Sequence, residues 1–501
     1  MDALDAQGKR YLLTLLSKIS PAGISELETD TAILQTILPL PDHRRALEPD
    51  ILLILGGRGS GKTKFFRLLG MAQGRQALIK KLGSRALADF NQTHWVNSLG
   101  RTKQKENRFP LQDSVSQFGA KATALDWRAF WVGLLLGSVL HYVKQDEGKS
   151  FSGVLCLDQL NEPLRLRLEN HLNEIASWVP LVRDQFEGIS ALLDEVDERL
   201  LQSDQWLFIT YDEIDRLTPG FTELVEPICG LLAFWLDRWR RWERIRPKIF
   251  LRTDLFSDEF LQFPDAAKLK AHQIRLEWTT PWLYQLLVRS MANVGMEEYL
   301  QSIPGLLSTK DPVLGWLPGT DEKLFQQLTE QMIGEYMGAN PRRGSTFRWI
   351  PHHLQDADGR ITPRSFLKLF ALAAQREKES FNADQLPEAR LLQPLSLQGA
   401  LIEASKVRIQ ELCEGYPWLA AITPTLHGLE VPVEKKFLLQ AIQDTKWEGE
   451  KNPPNHQPES ILRYLIQLGI AEERLDTRIN VPEIYLYGFG LKRRGGIKRP
   501  K

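Results

Sequence analysis

A glycine-rich stretch constrains the fold of this chain more than any other feature of its sequence. It reads LGGRGSGKT over residues 55–63, follows the apolar run ILLIL, and precedes the helical pattern KFFRLLGMAQ. Four of its residues complete the spacing G-x-x-x-x-G-K-[ST]: Gly56, Gly61, Lys62 and Thr63. A loop of this kind, between a strand and a helix, turns its backbone N–H groups towards one point. The spacing therefore predicts a phosphate-binding loop.

Each residue type in this loop is suited to a different contact with a nucleotide. The Lys62 ammonium is predicted to reach the β- and γ-phosphates of a nucleotide, and the Thr63 hydroxyl to bind Mg²⁺. The rest of the loop is predicted to contact the nucleotide as well: Gly56, Gly57, Arg58, Gly59, Ser60, Gly61 and Lys64. A chance glycine-rich turn is the alternative, which the strand and helix on the correct sides disfavour.

A second motif, LFITYDEIDRL at residues 207–217, is an apolar strand that ends in two acids. Asp212 is predicted to hold Mg²⁺, and Glu213 to polarise the attacking water as catalytic base. Taken alone, acids after a strand are common as helix caps. Together with the glycine-rich loop, they predict binding and hydrolysis of ATP with Mg²⁺ as the metal.

A third strand, KIFLRTDLF, ends in Arg252 and Thr253. In many ATPases a polar or basic residue at the tip of the strand beside the acidic motif senses the γ-phosphate. Arg252 is our first candidate for that role and Thr253 the second. An ordinary salt bridge at the end of a strand is the open alternative.

The remaining pattern predicts the order of the domains. Residues 1–45 form a helical N-terminal segment, and strand-like and helical runs then alternate through 46–280, which is typical of an α/β core around a parallel sheet. The core holds an inserted helical region at about 75–203. Helical periodicity broken by Pro and Gly predicts an all-helical lid at 281–385, and a smaller domain occupies 400–501.

The C-terminal domain has the pattern of a winged helix. Residues 433–447 and 458–470 have helical apolar spacing, and RINVPEIYLYGFGL at 478–491 alternates like a strand or wing. Helix, helix and β-wing is the winged-helix order. The tail LKRRGGIKRPK after Gly490 is dense in Lys and Arg, so domain and tail together predict contact with a DNA or RNA backbone. Contact with protein partners is the alternative.

These motifs resemble those of P-loop ATPases of the AAA+/STAND group, and the lid and winged helix extend the resemblance to the origin-recognition-like branch. The layout, with WRAFW at 127–131 and GFGLKRRGG near the end, is similar to large ATPases of bacterial genome-defence loci. The implied fold class is α/β: a P-loop NTPase core with a parallel sheet, a helical insert, a helical lid and a C-terminal winged-helix domain. The resemblance also implies a lid arginine on the γ-phosphate. Arg364, which follows a helix-starting Pro, is preferred over Arg342 and Arg343.

Composition narrows the setting in which such a chain works. Lys+Arg and Asp+Glu both total 63, so any contact with nucleic acid depends on a local basic patch. Cys156, Cys229 and Cys413 lie far apart, which excludes a disulfide framework and fits a reducing compartment. The apolar windows are too short to span a membrane, so a cytoplasmic location is predicted. Tryptophans 235, 239 and 242 have helical spacing and favour a packing stripe over nucleobase stacking.

The sequence therefore leads to two main hypotheses on function. The first is a Mg²⁺-ATP-dependent ATPase that acts as a switch or motor on nucleic acid, as a homo-oligomer, in genome defence or DNA maintenance. The second is a slowly hydrolysing signalling or scaffold ATPase that binds protein partners rather than DNA. A third, weaker hypothesis is a loader or regulator for a separate nuclease or transposase, which would make an effector protein a partner.

Overall fold

A computed structural model gives the architecture of the chain. The residues that the structure describes are 5–20, 28–83, 92–100, 108–145, 148, 151, 153–154, 159–218, 222–256, 261, 263, 265–380, 386–387, 389–447, 452–453 and 455–494.

A parallel sheet of five strands lies at the centre of the first half of the chain. The elements of this half, in order, are α1 (Ala6–Leu16), α2 (Asp30–Thr36), α3 (Pro41–Ala46), β1 (Leu53–Gly56), α4 (Lys62–Gly70), α5 (Ala72–Leu82), β2 (Thr93–Leu99), α6 (Gln112–Gly119), α7 (Ala124–Val143), α8 (Glu162–Asn170), α9 (Ile175–Asp184), α10 (Phe186–Gln202), β3 (Trp206–Tyr211), α11 (Val225–Arg241), β4 (Ile245–Arg252) and β5 (Gln273–Arg275). The strands lie in the order β2-β3-β4-β1-β5, and their pairings are parallel. The predicted α/β core around a parallel sheet is confirmed.

The register of the sheet brings the predicted motifs to one edge. Gly56 at the end of β1 lies beside Arg252 at the end of β4, and Tyr211 at the end of β3 lies beside Leu99 of β2. Every residue of β1 is buried, which explains why the strand reads as an unbroken apolar run. The loops that follow the strands meet at this carboxyl edge, where open α/β sheets bind their ligands.

Helices α6 to α10 fill the insert between β2 and β3. Most residues of α7 are buried, and the helix packs against α9, α11 and β2. Gly133 permits this close approach, because a Cβ atom there would run into the ring of Trp178. The predicted packing stripe is confirmed for Trp235 and Trp242, which are buried in the same core. Among the residues that the structure describes, no helix has the length and apolarity needed to cross a membrane.

The lid follows the sheet. Its elements are α12 (Thr280–Met291), α13 (Glu297–Gln301), β6 (Leu307–Asp311), β7 (Gly315–Pro318), α14 (Glu322–Met332), α15 (Thr346–Leu354) and α16 (Pro363–Glu379). The prediction of an all-helical lid is wrong in one respect, because β6 and β7 form an antiparallel hairpin. The Asp311 carboxylate accepts hydrogen bonds from the N–H groups of Val313 and Leu314, both at 2.8 Å, and so closes the turn between the strands.

The C-terminal domain has the predicted winged-helix order. Its elements are α17 (Pro394–Gly415), α18 (Trp418–Leu426), β8 (Glu430–Val431), β9 (Val433–Glu434), α19 (Lys435–Gln443), α20 (Pro458–Gln467), β10 (Glu472–Glu473), β11 (Arg478–Asn480), α21 (Glu483–Leu486) and β12 (Lys492–Arg493). Strands β9, β10 and β11 form an antiparallel sheet, and the turn at 474–477 is the wing. The prediction of a strand or wing through 478–491 is wrong after Asn480. The chain turns into α21 there because Tyr485 and Leu486 are buried on the side of α17.

The apolar side chains divide into separate cores. One continuous core joins α1, the lid and the C-terminal domain, and it contains Leu13, Phe366 and Leu465. The sheet has other cores, around Trp131 and around Phe65. Lid and C-terminal domain therefore pack as one body, which meets the sheet at its carboxyl edge.

Candidate nucleotide-binding site

The glycine-rich loop joins β1 to the N-terminus of α4. Gly59 and Gly61 have φ angles of +83° and +100°, in the left-handed region that favours glycine. Lys62 is the first residue of α4, and its ammonium donates to the carbonyl oxygens of Gly56 at 2.7 Å and Gly57 at 3.0 Å. The ammonium thus folds back across the loop whose N–H groups are predicted to receive phosphate.

Two other residues of the loop form hydrogen bonds or ion pairs with residues outside it. The Lys64 ammonium lies 3.1 Å from the Glu28 carboxylate and 3.1 Å from the Thr36 hydroxyl, so it ties α4 to the N-terminal segment. The carbonyl oxygen of Ser60 accepts a hydrogen bond from the indole N–H of Trp278 at 2.8 Å. The loop and the start of α4 are therefore anchored both to the N-terminal segment and to Trp278, which directly precedes the lid.

Asp212 lies directly after β3, beside the loop. Its side chain is 3% exposed and forms a hydrogen bond with Thr63, yet its Oδ2 atom has no hydrogen-bond partner. Burial raises the pKa of Asp212 to about 6, although the nearby Lys62 opposes the shift. A buried carboxylate oxygen without a partner, next to a threonine hydroxyl, is a donor set that suits Mg²⁺. The residues present therefore fit the predicted metal.

Lys62 and Asp212 also influence each other through their charges. Burial lowers the pKa of Lys62 to about 8, and the carboxylates of Asp215 and Asp212 limit the drop. Burial thus disfavours the charged forms of both groups. Such shifts are common in sites that bind a charged ligand.

Glu213 has an unusual backbone conformation. Its φ angle is +58°, in the left-handed region, where a residue other than glycine costs about 1–3 kcal/mol. Its carboxylate lies 3.0 Å from Arg216 and is largely buried. The role of Glu213 as catalytic base stays a prediction.

Arg252, at the end of β4, is 7% exposed and surrounded by polar groups. Its guanidinium contacts Asp254 at 2.9 and 3.2 Å and Asp215 at 3.3 Å. It also donates to the Tyr416 hydroxyl at 2.6 Å, and that hydroxyl donates to Asp254. Burial would lower the pKa of Arg252, but Asp254, Tyr416 and Asp215 outweigh it and raise that pKa. The salt bridge considered from the sequence is present, while the role of γ-phosphate sensor stays a prediction for both Arg252 and Thr253.

Arg364 lies against the loop. It is the second residue of α16, whose N-terminus is capped by Thr362. A Cβ atom on Gly59 would lie 3.5 Å from the Arg364 Cβ and 3.7 Å from the Thr362 Cβ, so the helix end packs directly on the loop. Arg342 and Arg343 lie instead on an exposed turn after Asn340. This placement favours Arg364 over the other lid candidates.

A cavity opens beside the loop on the lid side. It has a volume of about 480 Å³ and extends from Trp278 past Arg348 and His352 to Ile361. Trp278 connects this cavity to the loop, because its indole N–H donates to the carbonyl oxygen of Ser60.

Sequence reasoning missed the end of α17, which crosses the loop. Arg408 donates to the carbonyl oxygen of Arg58 at 3.2 Å, and Glu414 forms an ion pair with the Arg58 guanidinium at 2.7 Å. Glu411 lies 3.4 Å from Arg364. Some 350 residues separate the loop from these partners, and no local pattern marks them.

The fold and the two motifs define the class of this molecule: an α/β core of the P-loop type, with a parallel sheet, a lid and a winged-helix domain. No model of a known protein family matches the chain, and neither does any curated protein. The resemblance to ATPases of bacterial genome-defence loci stays a prediction.

Solved structures that are similar to this chain share little of its sequence. The Cdc6p protein of Pyrobaculum aerophilum is 14% identical, with 94% of this chain and 96% of that one covered and a TM-score of 0.29. The ORC2 protein of Aeropyrum pernix, in ADPNP-ADP complexes, is 12% identical over 94% and 98%, with a TM-score of 0.30. The ORC1 protein of the same organism, in complex with DNA, is 13% identical over 95% of each chain, with a TM-score of 0.31. At such TM-scores the likenesses are too weak to define the fold, which rests on the strand order and the positions of the motifs.

Proposed function

We propose that the chain binds and hydrolyses ATP with Mg²⁺ at the carboxyl edge of its sheet. The observation that carries the proposal is the buried Asp212 carboxylate. It forms a hydrogen bond with Thr63 and is attracted by the positive charge of Lys62. A protein keeps such a costly group beside a phosphate-binding loop when a cation and a phosphate are to be held there.

Each residue then has a defined task. The N–H groups of the loop and the Lys62 ammonium hold the phosphates, while Thr63 and Asp212 would hold Mg²⁺, which neutralises phosphate charge when bound. Glu213 accepts the proton of the attacking water. Arg252 and Arg364 stabilise the charge that develops on the phosphate oxygens.

Nucleic acid is the proposed target of the ATPase. The support is the winged-helix order of the C-terminal domain, in which α20 takes the place of the helix that enters a groove. Arg463 is exposed on α20. The basic tail beyond Arg494 lies outside the described residues. Assembly into a homo-oligomer, a cytoplasmic location and an effector protein remain predictions.

One observation favours the second hypothesis, a switch that binds protein. The wing exposes Leu475 completely, and the neighbouring Arg478 is already paired with Asp476 at 2.6 Å. An apolar tip flanked by paired charges suits a protein surface better than a phosphate backbone.

Steady-state ATP hydrolysis, with and without double-stranded DNA at low and high salt, separates the two hypotheses. Lys62→Ala and Glu213→Gln serve as inactive controls. Salt-sensitive stimulation by DNA that is absent from both variants is the result expected. Slow hydrolysis that is indifferent to DNA would instead support the protein-binding switch, and hydrolysis unchanged in both variants would refute the ATPase proposal.

A further inference from the structure

We infer that the end of α17 and the phosphates of ATP compete for the same arginines, so that nucleotide binding controls how the C-terminal domain docks on the site. The inference rests on the proposed function, since it takes ATP as the ligand. It is carried by the path of residues 408–416, the last turns of α17 and the residue after it, across the glycine-rich loop.

The first part of the contact is made on the loop itself. Arg408 donates to the carbonyl oxygen of Arg58, while Glu414 holds the Arg58 guanidinium at 2.7 Å. Gly415 lies so close that a Cβ atom there would come within 2.5 Å of Arg58 and 2.9 Å of Arg252. The helix end is therefore seated on the loop rather than near it.

The second part engages the predicted phosphate sensors. Glu411 lies 3.4 Å from the guanidinium of Arg364, the lid arginine beside Gly59. The Tyr416 hydroxyl accepts from Arg252 at 2.6 Å. Arg58, Arg364 and Arg252 are thus each bonded to a residue at the end of α17.

Carboxylates and phosphates offer the same oxygen acceptors to a guanidinium, and both bind it in the same planar geometry. A triphosphate placed on the loop would bring several negative charges close to Glu411 and Glu414, and like charges at such distances repel. Glu414 is 67% exposed, so it can return to water at little cost. The arginines then turn to the phosphates, and the helix end loses its contacts.

Movement of this helix end reaches the winged helix directly. α17 packs along α16 of the lid and on α21, and all three contribute to the core that joins lid and C-terminal domain. Release of residues 408–416 therefore changes the position of the whole body relative to the sheet. The presence or absence of nucleotide would in this way set the position of α20 and the wing relative to the sheet.

Three variants test the competition through equilibrium binding of a slowly hydrolysed ATP analogue. Glu411→Gln/Glu414→Gln should bind it about three- to tenfold more tightly than wild type, from the loss of two partly exposed ion pairs. Tyr416→Phe changes no charge, so a tighter affinity in this variant reports release of the helix rather than simple electrostatics. Glu403→Gln is the matched control, since Glu403 lies on the same helix and pairs with Arg376 of α16. It should bind like wild type.

Hydrogen exchange of the full-length chain provides the direct readout. Amide exchange over residues 408–416 should be faster with the analogue bound than without it, and faster in Tyr416→Phe than in wild type when no nucleotide is present. Faster exchange in both comparisons supports the inference. Slower or unchanged exchange on binding, or affinities of the variants at 411, 414 and 416 equal to that of Glu403→Gln, would overturn it.

The same data separate this inference from the proposed function. If wild type binds the analogue and Lys62→Ala does not, the ATP site stands whatever α17 does. If neither binds it, both the ATP site and the competition are refuted.

Discussion

Replacing Asp212 by asparagine should stabilise the chain in the absence of nucleotide while destroying the metal site. The carboxylate is buried, its Oδ2 atom has no partner, and burial raises its pKa from 3.8 to about 6. The folded state therefore prefers the neutral form. An asparagine at this position would have the same size and carry no charge, so the penalty of burying a charge disappears together with the ligand for Mg²⁺.

The magnitude follows from the pKa shift. Two pKa units correspond to about 3 kcal/mol. This shift is a net value that already includes the attraction of the Lys62 ammonium. Part of the gain is lost because asparagine places an amide NH2 group in a buried position, where a donor without an acceptor is costly. We expect the free energy of unfolding of the sheet domain to rise by about 1–2 kcal/mol, which corresponds to about 2–8 °C in the thermal midpoint.

The dependence on pH gives the prediction a second, independent part. The folded-state pKa of Asp212 lies above its unfolded value, so protonation favours the folded state. The stability contributed by the protonated form is present at low pH and lost as the pH rises through about 6. The difference between Asp212→Asn and wild type should therefore shrink by about 1 kcal/mol between pH 7 and pH 5.

Asp197→Asn is the matched control, because both oxygens of this buried carboxylate accept hydrogen bonds. It accepts hydrogen bonds from the backbone N–H groups of Glu243, Arg244 and Ile245 at 2.7 to 2.9 Å. Its replacement should lower the midpoint, since an amide cannot accept them all. Thermal unfolding of ligand-free wild type and both variants is the assay. If Asp212→Asn unfolds as early as Asp197→Asn, the buried charge of Asp212 does not destabilise the fold and the prediction is wrong.

Three further predictions follow from the same site. Glu213→Gln should lower the rate of hydrolysis about 100- to 1,000-fold, because the base is lost, while the affinity for Mg²⁺-ATP stays within about twofold. Single-turnover kinetics measures the rate and calorimetry the affinity. A parallel loss of binding would contradict the role assigned to Glu213. The affinity for Mg²⁺-ATP should be highest between about pH 6 and pH 8. Asp212 is protonated below its pKa of about 6, and Lys62 loses its proton above its pKa of about 8. An affinity that calorimetry finds constant from about pH 5 to pH 9 would contradict both pKa shifts. Arg463→Ala should weaken DNA binding and reduce the salt slope by about one unit, and an unchanged slope in fluorescence anisotropy would remove α20 from the interface.

The loop and the acidic strand end could be predicted because their chemistry is local in sequence. Gly56 to Lys64 form one continuous segment, and Asp212 and Glu213 follow an apolar strand whose direction fixes where they lie. The parallel sheet then brings both segments to one edge. Short motifs on strands of known direction carry nearly all the information that such a site requires.

The contacts between the end of α17 and the glycine-rich loop could not be predicted, because they depend on how the C-terminal domain packs on the sheet. Glu414 and Tyr416 lie at the end of a helix whose own pattern reports only burial against the lid. Their contacts with Arg58 and Arg252 arise from the core shared by lid and C-terminal domain. A helical pattern indicates which face is buried and gives no partner for the polar residues at its end.

The sequence did not predict β6 or α21 correctly, because the local patterns of both segments are weak. β6 has the sequence LSTKD and is mostly exposed, so it lacks the apolar alternation by which a strand is recognised. The segment after Asn480 alternates in polarity, yet it forms α21, because tertiary burial of Tyr485 and Leu486 overrides a weak local pattern.

The central claim is that ATP binds at the glycine-rich loop with the Lys62 ammonium on its phosphates. Isothermal titration of Mg²⁺-ATP into wild type, Lys62→Ala and the exposed control Lys81→Ala tests this most directly. We predict that wild type and Lys81→Ala bind with equal affinity and that Lys62→Ala binds at least about 100-fold more weakly. Equal binding by all three, or no binding by wild type, would contradict the account.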